Sequence, residues 1–287
     1  MTARHISETI GWTMDSIDHA SAGSPLSEPT GRRDLDHILS GGIAPGQLAV
    51  ISGRTGHGKS TLALDMIRST AIADNGMVLF ASAEQGVDEV TMRILAAEAG
   101  VPIAAIRTGR LIEDQWSKLT DSIARVTDAK IIINDSVLTA LDVIRDALEY
   151  GAEGGLSLIV VDGLNLLTSG EATNSRYEDV AMMSRALKNL AKDLNVPVVI
   201  TAGLSRGIEE RGDDARPRLS DLRDSGTLEE DADIVIFVHR PDAENRDHER
   251  AGEVDFIVAK NRTGVTGTVR AAHQLHYSRF MDLAPRE

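Results

Sequence analysis

The chain has 287 residues, 42% of them hydrophobic, and sets 30 Lys and Arg against 44 Asp and Glu for a net charge of −14. It is long enough for one large α/β domain or two small ones with a proper core, and too acidic for a generic nucleic-acid binder, so any DNA contact must be local and shaped. Zero cysteines exclude disulfides and thiolate chemistry, no run approaches the roughly 18 apolar residues of a membrane helix, and "MTARHISETIGW" lacks a signal peptide's apolar segment, so a cytoplasmic protein without membrane contact is expected.

Residues 1–28 read as a unit distinct from residues 29–287. "HISETIGWTMDSIDHA" places Ile6, Ile10, Met14 and Ile17 on one helical stripe, and "SAGSPLSEPTG" follows as a linker. Such a helix needs a surface to cover, either its own domain or a neighbouring subunit. From residue 47 the pattern alternates. "QLAVIS" and "MVLFAS" read as buried strands, with a helix between them from about Lys59 to the Asn75-Gly76 stop. Further strands are expected at "KIIIN", "LIVV", "PVVITA" and "DIVIFV". The helix "YEDVAMMSRALKNLAKDLN" carries Val180, Met183, Leu187, Leu190 and Leu194 on one face. Alternating strands and helices imply a mostly parallel sheet covered on both sides. "EVDFIVAKNRTGVTGTVRAAHQL" reads instead as two strands joined by a Gly-containing turn, an antiparallel addition at the sheet edge.

"GRTGHGKS" (Gly53, Arg54, Thr55, Gly56, His57, Gly58, Lys59, Ser60) fits G-x-x-x-x-G-K-[ST] between a strand and a helix, and Thr61 continues it. Its backbone N–H groups and the helix N-terminus suit ATP phosphates, Lys59 reaches the β and γ positions, and Ser60 is a Mg²⁺ ligand. His57 fills a variable position and is read as incidental. Asp162, ending "LSLIVV", is the expected carboxylate of the Mg²⁺ site, standing behind the ion's direct ligands. Many phosphate-hydrolysing enzymes place a second acid directly after the first, but Gly163 stands there. Glu84, just past the strand that follows the P-loop helix, is the alternative base, since ligands collect at the carboxyl ends of parallel strands.

"PTGRRDLDHILSGG", "VLFASAEQGVDEVTMRILAAEAGV", "ALKNLAKDLNVPVVI", "SDLRDSGTLEEDADIVIFVHR" and "AKNRTGVTGTV", in that order, resemble the RecA-like motor domain of DnaB-type replicative helicases over about residues 29–282. The resemblance makes "SAE" the family's S-L-E motif, with Glu84 as catalytic base, and matches Arg93 to an arginine that approaches the γ-phosphate from the same subunit. It matches Lys260 and Arg262 to a pair that reaches the neighbouring subunit's site, Arg262 as the arginine finger. Loops at about Ser169 to Arg176 and Gly207 to Gly226 are expected to face a central channel. Arg223, Asp224 and Gly226 stand where the family binds single-stranded DNA phosphates. Residues 1–28 resemble the family's linker helix, which docks on the adjacent protomer. The family's N-terminal collar, which engages primase, has no counterpart in these residues, so the resemblance does not extend to primase coupling. Gly203 replaces a glutamine that senses the γ-phosphate and couples it to the DNA loop.

What the resemblance implies is a ring-shaped homo-oligomer, a hexamer, that hydrolyses ATP at subunit interfaces, moves 5′ to 3′ on single-stranded DNA and works with a helicase loader in a bacterial cell or virus-infected host. Two other readings stay open on sequence alone: another RecA-type ATPase acting on duplex DNA or protein, and a ring-forming regulator of a host helicase.

Overall fold

The structure, a computed structural model, describes residues 5–22, 26–211, 216–222, 226–245 and 247–284. In chain order its main elements are α1 (Ile6–Ser21), α2 (Arg33–Ile38), β1 (Leu48–Ser52), α3 (Lys59–Arg68), β2 (Val78–Ser82), α4 (Val87–Ala99), α5 (Ile103–Thr108), α6 (Glu113–Asp128), β3 (Ile131–Asn134), α7 (Ala140–Gly154), β4 (Leu158–Asp162), α8 (Arg176–Leu194), β5 (Val198–Ala202), α9 (Gly226–Asp231), β6 (Ile234–His239), β7 (Glu253–Asn261), β8 (Gly267–Gln274) and β9 (Arg279–Asp282). The strands form one sheet in the order β3-β2-β4-β5-β1-β6-β7-β8-β9. The first six run parallel and the last three add antiparallel. The fold class and the edge hairpin are as the sequence pattern implies. β9 is a further antiparallel strand beyond the expected two.

The parallel strands read as continuous apolar runs because helices cover both faces. In β1, Ala49 and Ile51 join Leu62, Met66, Ile67, Val90 and Ile94 in one core layer. Leu48 and Val50 point the other way, toward Val143, Val180, Met183 and Leu187. Helix α8 buries Val180, Met183, Leu187 and Leu190, the expected face. It starts at a Ser175 cap whose hydroxyl accepts from the Glu178 N–H, and ends at Asn195 in the left-handed region. Helix α1 leaves its stripe in solvent, with Ile6, Ile10, Met14 and Ile17 between 49% and 69% exposed. Among the described residues no helix is long and apolar enough to cross a membrane.

Candidate active site

The carboxyl ends of β1, β2, β4 and β5 open into a cleft of about 480 Å³. Thr55, Gly56, Gly58, Lys59, Ser60 and Thr61 line one wall, Glu84, Gln85 and Arg93 a second, and Gly163, Asn165, Thr201 and Gly203 a third. The P-loop turns into α3 at Gly58, whose φ of +104° and lack of a side chain are both required: a Cβ there would lie 2.6 Å from the Phe280 ring. Burial pushes the Lys59 ammonium pKa down, while Glu84 and Asp162 hold it up. Among the described residues its Nζ donates to the Arg54 carbonyl alone, at 3.4 Å. A desolvated cation facing two carboxylates across a cleft is suited to phosphate oxygens.

Ser60 and Asp162 meet as expected: the hydroxyl donates to Asp162 Oδ1 at 3.0 Å. Thr201 donates to the same oxygen at 2.6 Å and accepts from the Gly163 N–H at 2.8 Å. Asp162 is 1% exposed, and its Oδ2 is buried without a hydrogen-bond partner among the described residues. A hydroxyl beside an unsatisfied carboxylate oxygen is the donor set a small hard cation takes together with phosphates. Among the described residues no three His, Asp or Glu cluster into an all-protein cage. The residues present therefore fit Mg²⁺ held jointly with a nucleotide.

Glu84 lies in the cleft directly against Gly163. A Cβ on Gly163, at φ +95°, would stand 3.4 Å from the Glu84 Cβ. It is the left-handed φ at Gly163, next to Asp162, that calls for glycine, and this turn sets Glu84 of a different strand beside it. Arg93, which alone in sequence reads equally as a solvated arginine, is held on three sides. Its guanidinium donates to Ser278 Oγ (2.7 Å), Gln85 Oε1 (2.7 Å) and Thr61 Oγ1 (2.9 Å). Burial pushes its pKa down and Asp162 is the first carboxylate opposing that. Gln85 and Ser278 were not foreseen. Gln85 adjoins Glu84, whereas Ser278 arrives from far along the chain, in the left-handed region at φ +57°.

Gly53, Arg54 and His57 support the P-loop and do not line the cleft. Arg54 pairs with Glu244 at 3.3 Å. His57 is not incidental: it is buried, and its Nδ1 accepts from the Arg240 N–H at 3.1 Å. Burial, then the charges of neighbouring groups, lowers its pKa to about 4. Gly203 borders the cleft, and its N–H donates to Asn165 Oδ1 at 3.2 Å, so an amide from the turn after β4 lies at the position where the resemblance places a glutamine.

Lys260 and Arg262 stand apart from this cleft. Lys260 donates to the Glu229 and Glu230 carbonyls at 2.5 and 3.2 Å. Arg262 pairs with Asp233 at 3.3 Å and keeps a side chain 61% exposed. Both lie where Asn261 pairs with Ile234, at the start of β6, whereas the P-loop packs at its other end, with Gly53 against Val238. Six strand residues separate the two ends by roughly 17 Å. A β-bulge between Val235 and Ile236 re-aims this end of β7.

Of the two expected channel loops, the first is pinned at its base. Arg176 donates to the Leu167 and Leu164 carbonyls and pairs with Asp179 at 2.7 Å. The second is stapled by the Leu204–Leu222 bridge, by the Ser205 N–H on the Asp221 carbonyl, and by Arg211 on the Asp221 carboxylate. Gly226 opens α9, while Arg223 and Asp224 lie outside the described residues.

The sheet order, the P-loop after the central strand and the acids at neighbouring strand ends define a RecA-like nucleotide-binding domain. The family described as the DnaB-like helicase C terminal domain matches residues 28–282, and the chain belongs to it. Replicative DNA helicase DnaB of Leifsonia xyli subsp. xyli is 42% identical over 98% of this chain and 62% of the relative. The protein of that name from Geobacillus stearothermophilus is 36% identical over 99% of this chain and 63% of its own length. The chain thus spans less than two thirds of these relatives. Among solved structures, one described as an ATPase domain superposes with a TM-score of 0.90 at 30% identity, covering 99% of this chain and 100% of that one. A DnaB-like replicative helicase, described with its interactions with primase, gives 0.87 at 29% identity over 99% of this chain and 68% of that one.

Proposed function

We propose that the chain is the motor of a ring-shaped DNA helicase, a hexamer, that hydrolyses ATP with Mg²⁺ at subunit interfaces to move 5′ to 3′ along single-stranded DNA and part the duplex. The observation that carries this reading is the separation of Arg262 from its own P-loop. An exposed arginine at the far end of the sheet serves no nucleotide in its own subunit, but it completes a neighbour's site in a ring. Family membership and the 42% identical relative support the helicase assignment.

In this reading Lys59 and the P-loop N–H groups bind the phosphates, and Ser60 and Asp162 hold the metal ion, which supplies charge neutralisation on the phosphoryl oxygens when bound. Glu84 accepts a proton from water as the water oxygen bonds to the γ-phosphorus and the bond to the bridging oxygen breaks, leaving ADP and phosphate. Arg93 and Thr61 steady the cleft, and Lys260 and Arg262 of the adjacent protomer meet the developing charge. Such a finger is worth on the order of 10³ or more in rate. The loops from Ser169 to Arg176 and Gly207 to Gly226 line the channel, with Arg223, Asp224 and Gly226 on DNA phosphates.

Mixing two inactive variants tests the shared site. Lys59→Ala loses its own nucleotide but still donates Arg262, and Arg262→Ala does the reverse. Subunit exchange between them creates some interfaces with both residues intact and restores part of the ATPase activity. Wild-type subunits titrated with Arg262→Ala show the loss under strict coordination of all sites. A homogeneous Arg262→Ala ring that hydrolyses ATP like wild type refutes the assignment.

A further inference from the structure

The loop from Gly207 to Gly226 is tied to the P-loop of its own chain by a second route that bypasses Gly203. Asp255, in β7, is fully buried. Arg250 donates to both of its oxygens, to Oδ2 at 3.1 Å and to Oδ1 more closely. That fork gives each carboxylate oxygen one donor. Yet Arg216, from the loop, also donates to Asp255 Oδ2 at 2.7 Å with a side chain that is 54% exposed. Arg250 also pairs with Glu253 at 2.7 Å, so its single charge faces two acids; Arg216 supplies the second cation and in doing so ties the loop to β7.

What it links is the segment from Arg240 to Gly252. Asp255 pairs in register with His239, at the end of β6 beside the P-loop. Arg250 closes one end of the segment on Asp255. At the other end the Arg240 N–H donates to His57, and its guanidinium donates to the Gly56 carbonyl at 3.3 Å. Asp242 holds the two ends together by accepting from the Gly252 N–H at 3.0 Å, from Arg240 at 3.1 Å and from His273 at 2.8 Å. Glu244 then pairs with Arg54 of the P-loop. Apart from the two short stretches of backbone from Arg250 to Gly252 and from Asp242 to Glu244, each step from Arg216 to the P-loop is a hydrogen bond or ion pair, most of them to a buried carboxylate or to backbone, so displacement of the loop can be passed along it.

We infer that Arg216 and Asp255 are positioning residues that couple the loop from Gly207 to Gly226 to the P-loop of the same subunit, through Arg250 and the segment that follows β6. DNA on the loop then resets the P-loop and raises the hydrolysis rate. The inference rests on the reading of that loop as the DNA-contacting one.

Arg216→Gln tests it without opening the core, because Arg250 still covers Asp255. The assembled protein is assayed for ATPase turnover with and without single-stranded oligothymidine, and for oligothymidine affinity by fluorescence anisotropy with a non-hydrolysable ATP analogue. The expected result is DNA-free turnover and affinity within twofold of wild type, a DNA stimulation reduced at least threefold, and partial recovery in Arg216→Lys. Glu244→Gln, which cuts the same route at its P-loop end, lowers stimulation as well, and the double variant is no worse than the more severe single one. Undiminished stimulation in Arg216→Gln overturns the inference. So does a matching loss of DNA affinity, which makes Arg216 a direct contact, or a fall in melting temperature with DNA-free turnover, which makes it structural. Wild-type protein that neither binds nor responds to oligothymidine overturns the functional reading itself.

Discussion

Ser60 and Asp162, on α3 and β4, are 102 residues apart in sequence and 3.0 Å apart between hydroxyl and carboxylate. Thr201 donates to the same Asp162 oxygen, which leaves Oδ2 without a partner among the described residues. Asp162→Asn keeps an acceptor for both hydroxyls and removes the charge. The fold should survive, while turnover falls roughly 10²-fold and the Mg²⁺ concentration for half-activity rises, as expected when a metal-site charge is lost. A Mg²⁺ titration of ATP hydrolysis reads both effects. An unchanged midpoint would separate Asp162 from the metal.

Glu84 and Gly163 form the second testable pair. Glu84→Gln should leave ATP binding intact and cut turnover by about 10² or more, because an amide accepts no proton from water. Gly163→Ala should damage the same step indirectly. A side chain at φ +95° is strained by about 1–2 kcal/mol, and relief of that strain shifts the turn on which Glu84 rests, since the added Cβ meets the Glu84 Cβ at an ordinary contact distance of 3.4 Å. The expected signature is a lower melting temperature together with reduced turnover at unchanged ATP affinity. Near-normal turnover in Glu84→Gln would remove it as the base.

The strands of the parallel sheet were legible because both faces are covered, so each strand is an unbroken apolar run, and the P-loop was legible because its chemistry sits in eight consecutive residues. What escaped the sequence depends on contacts between distant residues. β9 is only four residues, "RFMD", and nothing local marks it. It is fixed by Phe280, whose ring packs over Gly58 and whose N–H donates to buried Asp65 at 3.0 Å. Ser278 reaches Arg93 across 185 positions. His57 fills a freely variable place in its motif, so only the fold shows that the Arg240 backbone needs its ring nitrogen.

That nitrogen makes stability depend on pH. Burial, followed by the charges of His239, Arg240, Arg54 and Lys59, lowers the His57 pKa from 6.5 to about 4. Between those values the unfolded chain binds a proton that the folded protein refuses, so this group's stabilising contribution is complete above about pH 6.5 and is lost as pH falls toward 4. The loss is about 2 kcal/mol at pH 5. Denaturant unfolding of wild type and His57→Asn at pH 7.5 and pH 5 isolates it, since the other titrating groups are common to both. The acid-side loss should be smaller in the variant by about that amount. Parallel pH dependences would mean that His57 titrates normally.

Helix α1 offers a test of assembly separate from catalysis. Its apolar stripe is exposed in the single chain, with Ile10 at 55% and Met14 at 52%. An amphipathic helix with an uncovered face needs a partner surface, and in the proposed ring that surface belongs to the next protomer. Ile10→Asp should therefore leave the melting temperature of the isolated domain unchanged, because little packing is lost within the chain. It should weaken assembly, because burying one isoleucine is worth about 1.5–3 kcal/mol per interface, an affinity change of roughly tenfold or more. Glu8→Lys, on the opposite side of the same exposed helix, is the control. Light scattering over a dilution series should show the Ile10→Asp ring dissociating at higher protein concentration than wild type or the control. If all three assemble alike, the stripe is not an assembly surface. If Ile10→Asp lowers the melting temperature of the monomer, α1 packs on its own domain in solution.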